Sequence, residues 1–190
     1  DDGVAISGAV INSPITVNRG PVVRSAYLEQ VRRIAPDQGR PGGLHDRSDE
    51  LAQLAAFCTA ATGGVYVWWR AAAWAGKSAL MSWFVLHPPA GVRVVSFFIT
   101  ARFAGHSDRT AFVDVLLEQL ADLLDQSMPA FLTDATREAH LLALLAEAAH
   151  ACGHRGERLV LVVDGLDEDR GVTVGADAHS IAAILPADPP

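Results

Sequence analysis

Gly76-Lys77-Ser78 and, eighty-six residues beyond the serine, Asp164 are residue types that handle a polyphosphate and its metal. Ala71 to Ser78, A-A-A-W-A-G-K-S, keeps the spacing of a phosphate-cradling loop, with Ala71 where such loops open on Gly. Phosphate is held there by main-chain N–H groups at a helix N-terminus, where unpaired donors and the helix dipole already favour negative charge. The candidate binding residues are therefore Ala71, Trp74, Ala75, Gly76, Lys77, Ser78 and Ala79. Gly76 admits close approach of the backbone, Lys77 reaches the terminal phosphates as a point charge, and the Ser78 hydroxyl is a magnesium ligand. Of fifteen Lys and Arg residues, Lys77 is the single Lys. The planar fork of Arg would crowd a tight loop that a compact ammonium fits.

A second constellation follows the apolar run Leu159-Val160-Leu161-Val162-Val163, which ends in Asp164-Gly165-Leu166-Asp167-Glu168-Asp169. Carboxylates at a strand's carboxyl end lie where ligands bind in open α/β sheets. Asp164 is predicted to hold magnesium opposite Ser78, and Asp167 and Glu168 to orient or deprotonate an attacking water.

The elements needed to position these groups can be read from the pattern. Val65-Tyr66-Val67-Trp68-Trp69, after Gly63-Gly64, reads as a buried strand delivering the chain into the loop. A helix starts at Lys77, with Leu80, Met81, Phe84 and Val85 on one face, and stops before Pro88-Pro89. Val92 to Thr100 is a second strand and Leu159 to Val163 a third. Helices are predicted from Ala26 to Ile34, Asp49 to Thr59, from Asp108 through Leu124, and Asp134 to Cys152. Strands separated by helices predict an α/β fold, a parallel β-sheet flanked by helices with right-handed crossovers. Residues 1–24 read as a linker, 25–62 as a helical lead-in and 63–190 as the core. Trp74 is assigned to packing over neighbouring helices in preference to stacking on a base.

Composition narrows the function. Half of the 190 residues are apolar, enough for a substantial core. A net charge of −7 argues against a general nucleic-acid surface. No run of about eighteen apolar residues suggests a membrane span, and no leader pattern opens the chain. Cys58 and Cys152 lack metal-type spacing and read as buried free thiols; the seven histidines are scattered. The chain starts without Met and stops in L-P-A-D-P-P, which reads as a segment of a longer polypeptide.

The pairing of A-W-A-G-K-S with L-V-L-V-V-D-G-L-D-E resembles the NACHT branch of the STAND nucleoside triphosphatases, regulatory ATPases that act as switches in multidomain proteins. The resemblance spans about residues 44 to 170. It implies a P-loop NTPase core, incomplete here because the later strands and lid are missing, with ATP and magnesium as ligands. It also implies a cytoplasmic setting, other domains of the parent polypeptide as partners, nucleotide-dependent self-association, and a role in bacterial signalling or defence. The helix after Leu44-His45-Asp46-Arg47 is similar to the segment against which adenine packs in such proteins, and Arg102 resembles an Arg that follows their second strand. The missing guanine-reading N-K-x-D favours ATP over GTP.

Overall fold

The computed structural model describes residues 22–36, 44, 46–60, 64–72, 74–99, 109–129, 132–169 and 180–190. The linker reading of residues 1–24 falls almost wholly outside these, as do His45, Arg102 and the loop ahead of Arg109.

In chain order the elements are α1 (Val22–Ile34), α2 (Ser48–Thr59), α3 (Lys77–Leu86), β1 (Val92–Phe98), α4 (Arg109–Leu123), α5 (Asp134–His154) and β2 (Arg158–Asp164). Among the described residues, two short 3₁₀ turns follow, Leu166–Glu168 and Ile181–Ile184. The fold is α/β, as predicted: β1 and β2 pair in parallel, from Val92 with Arg158 to Phe98 with Asp164. Helices α4 and α5 pack on one another and on β1 and β2 respectively, and α3 touches both strands.

One core runs through all of this. Tyr27 and Val31 of α1, Leu54 and Cys58 of α2, Phe84 of α3, Phe97 of β1, Leu116 and Leu120 of α4 and Leu141 of α5 belong to a single buried cluster. The residues assigned to a lead-in thus share a core with those after them. Leu116 and Leu120 of α4, and Leu141, Leu145 and Ala148 of α5, face inward at helical spacing, the stripe that holds each amphipathic helix on the sheet. Phe97 meets Phe112 edge-to-face at 5.4 Å between ring centroids, a favourable geometry for an aromatic pair. Cys58 and Cys152 are buried free thiols. Among the described residues, no helix is long and apolar enough to cross a membrane.

The predicted strand at Val65–Trp69 is not formed. Val65, Tyr66, Val67 and Trp68 are 60%, 51%, 47% and 69% exposed, and none of these residues joins the two-stranded sheet. β-Branched and aromatic side chains favour a strand only when a neighbour completes the ladder and covers the faces. Here a cavity of about 770 Å³ separates the run from β2. Trp69 alone of the run packs partly against the core.

The edges of β1 and β2 differ in the same respect. Ser96 of β1 turns its backbone away from β2, and the amide of Gln119 on α4 serves both of its groups. The side-chain oxygen accepts from Ser96 N–H at 3.0 Å, and the side-chain nitrogen donates to Ser96 C=O at 2.9 Å. Tyr27 adds its hydroxyl to the same carbonyl at 2.6 Å. A buried edge strand needs such partners, because each unmet backbone group would cost about 1–3 kcal/mol.

Candidate functional site

The Ala71–Ser78 loop turns on itself before α3 begins. Ala75 N–H donates to Ala72 C=O at 3.2 Å. Trp74 (φ 65) and Gly76 (φ 79) both sit in the left-handed region. Gly takes this conformation freely, whereas for Trp it costs on the order of 1–2 kcal/mol. The first helical bond runs from Leu80 N–H to Gly76 C=O at 3.0 Å, so the N–H groups of Lys77, Ser78 and Ala79 stand outside the ladder of α3. No side chain caps this end. Positive dipole and unused donors therefore converge on the loop.

The predicted packing of Trp74 over neighbouring helices is wrong: its side chain is 94% exposed. It sits at positive φ on the turn ahead of α3, with its ring in solvent. The other departure from the usual loop, Ala71, keeps a negative φ and takes no such strain.

The two constellations meet. Ser78 Oγ donates to Asp164 Oδ2 at 2.5 Å, joining the start of α3 to the tip of β2. Lys77 Nζ donates to Ala71 C=O at 3.4 Å, folded back across the loop mouth. Burial pushes the Asp164 carboxyl above its ordinary value; the Ser78 hydrogen bond and the Lys77 charge pull it down, and Asp167 and Glu168 push it up. Lys77, Asp164 and Asp167 all line the cavity between the Val65–Ala71 run and β2. Asp167 and Glu168 both stand exposed on the 3₁₀ turn, but of the two only Asp167 lines the cavity.

Gly165 makes this corner. Its φ is 82, and a Cβ there would lie 2.5 Å from the Ile99 carbonyl oxygen, so the close approach of the two chains requires glycine. The carboxylates after β2 consequently divide by task. Asp164 faces Ser78, while Asp169, 7% exposed, turns the other way. It accepts from Ser180 Oγ at 3.0 Å and from Ile181 N–H at 2.8 Å, fastening the turn that seats Ile181 in the core. Sequence reasoning gave Asp169 no role of its own, because its partners lie eleven and twelve residues on.

The sequence marks Arg47 only as part of a segment similar to one that lies near adenine. The structure places its guanidinium on the loop itself: Nη2 donates to Ala75 C=O at 2.8 Å while Nη1 donates to Glu50 Oε1 at 2.6 Å. That hydrogen bond holds the Glu50 carboxyl below its ordinary range. The signal available beforehand was Arg47 directly ahead of the acidic first turn of α2, which contains Asp49 and Glu50.

Ser78 Oγ and the Asp164 carboxylate are hard oxygen donors of the kind magnesium takes, and their juxtaposition fits an ion shared between protein and phosphate oxygens. Among the described residues there is no group of three His, Cys, Asp or Glu arranged to hold a metal by themselves.

No curated protein and no solved structure matches the chain to a significant degree. Residues 50–181, more than half of the chain and including the loop, both strands and the acidic cluster, match the family described as Nephrocystin 3, N-terminal. The chain belongs to the nephrocystin 3 N-terminal family.

Proposed function

We propose that the chain is an ATP- and magnesium-binding module, a P-loop NTPase core of the kind found in the NACHT branch, that hydrolyses its nucleotide slowly. Its nucleotide state would control assembly of a multidomain signalling or defence protein in the cytoplasm. The observation that carries the reading is the 2.5 Å contact between Ser78 Oγ and Asp164 Oδ2, with Lys77 and the unused N–H groups of α3 beside it. Residues eighty-six positions apart are brought together in the combination that a metal-bound triphosphate requires.

Each group has a separate task in this account. The N–H groups at the start of α3 take phosphate oxygens, and the backbone at Gly76 lets them approach. Lys77 leaves the Ala71 carbonyl, a neutral partner at 3.4 Å, for the stronger charge-assisted bonds of a phosphate. Ser78 and Asp164 would hold magnesium, which would supply charge neutralisation to the phosphates. Asp167 or Glu168, both exposed on the 3₁₀ turn, would orient the attacking water or accept its proton.

Calorimetric titration with MgATP tests the reading. The wild type is expected to bind and Lys77→Ala to bind at least tenfold more weakly; equal affinities would reject it. Phosphate release then separates turnover from a nucleotide-locked scaffold. Asp167→Asn and Glu168→Gln should slow release and leave affinity nearly unchanged.

A further inference from the structure

The Arg47 guanidinium spans two elements, α2 through Glu50 and the Ala71–Ser78 loop through Ala75. It also lies over Gly76: a Cβ at that position would come within 4.0 Å of Arg47 Nη2. The peptide between Ala75 and Gly76 is planar and trans, so its C=O and N–H point in opposite directions. A donor that fixes the carbonyl therefore fixes the N–H as well. Ala75 C=O is turned toward Arg47, and Gly76 N–H is turned away from it.

We propose that Arg47 is a positioning residue for the phosphate site, a latch that holds the Ala75–Gly76 peptide in the orientation in which the Gly76 N–H can donate to a bound triphosphate. This rests on the nucleotide-binding reading above. The latch is needed because, among the described residues, no other hydrogen bond reaches Ala75 C=O or Gly76 N–H: α3 has no side-chain cap, and glycine leaves the rotation about Gly76 φ open. A freely rotating peptide would present an oxygen to the phosphate for part of the time, repelling the anion that its N–H should bind. Arg suits the task better than Lys, since one planar fork serves Glu50 and Ala75 at once. Glu50 holds the other arm of the fork in place. The latch also gives the segment ahead of α2 a route to the site, because any movement of Arg47 frees the peptide.

The test uses the full chain with MgATP and, separately, no ligand. Arg47→Met is expected to weaken MgATP affinity by about tenfold to a hundredfold, the range for loss of a charged hydrogen bond. Arg47→Lys should recover part of the loss, and Glu50→Gln, which keeps the accepting oxygen, should change affinity by about threefold or less. In the ligand-free protein, NMR couplings and backbone shifts report Gly76 φ directly. Arg47→Met should add a second conformer to the single value near 79. Unchanged Gly76 geometry in Arg47→Met overturns the latch, whether or not affinity falls; a fall without it would mean that Arg47 touches the nucleotide. A fall in thermal stability alone, with affinity and Gly76 unchanged, likewise overturns it. A wild type that fails to bind MgATP while Arg47→Met still releases the Gly76 peptide leaves the latch standing and rejects the nucleotide reading.

Discussion

β1 and β2 are both seven residues long and pair along their whole length, yet they live in different environments. In β1, Val92, Val95, Ser96, Phe97 and Phe98 are buried, whereas every residue of β2 from Leu159 to Asp164 remains half-exposed. The difference lies at the outer edges. That of β1 is filled by the Gln119 amide and the Tyr27 hydroxyl, and that of β2 looks across the cavity toward Val65–Ala71. One strand is a structural wall and the other carries Asp164 to an open cleft. A carboxylate that must meet a charged ligand needs access, and the half-open strand supplies it, while the buried strand holds the register.

The sharpest way to break this comparison is to truncate matching positions on the two strands. Phe97→Ala should cost about 3–5 kcal/mol, the range for deleting a fully buried aromatic side chain. Val163→Ala, its half-covered register partner on β2, should cost about 1 kcal/mol. Urea midpoints would show both, and equal losses would mean that the two strands are equally packed. Gly165→Ala comes next, at about 2–3 kcal/mol, because it adds positive-φ strain to a clash with the Ile99 carbonyl. It should also move Asp164 away from Ser78. Gln119→Leu keeps the bulk of the side chain and strips Ser96 N–H of its partner, for about 1–2 kcal/mol. Amide exchange at Ser96 should rise with it.

Asp164 should behave in the opposite sense. Its folded-state pKa is raised, so the ionised carboxylate disfavours the fold. The ligand-free protein should lose this contribution to stability as pH climbs above the ordinary value of 3.8, and the deficit should persist at neutral pH. Asp164→Asn, which can still accept from Ser78, is expected to raise the melting temperature at pH 7 and to flatten its dependence on pH. The same change should weaken magnesium-dependent binding. A variant that loses stability at pH 7 would contradict the burial argument.

Much of the molecule was legible in its residues. Helical periodicity with proline and glycine stops located α2 through α5 to within a few residues, since those signals are local. Lys77, Ser78 and Asp164 were recognisable because their types are rare in combination and their spacing is fixed by strand and helix lengths. The run Val65–Trp69 misled because apolar content reports a preference for burial and says nothing of whether a neighbour is present to provide it. Trp74 misled for the same reason: size suggests packing, but the ring stands 94% exposed with no neighbour covering it among the described residues. Arg47, Gln119 and Asp169 act through backbone groups eleven or more residues away, and a backbone acceptor leaves no mark on the sequence.

The central claim, that Ser78 and Asp164 close on a metal-bound triphosphate beside Lys77, is tested most directly by the magnesium dependence of ATP affinity. Titrating wild type and Ser78→Ala with ATP, in the presence of magnesium and of a chelator, should show at least tenfold tightening by magnesium in the wild type and little in the variant. Affinity that ignores magnesium in both proteins would contradict the account.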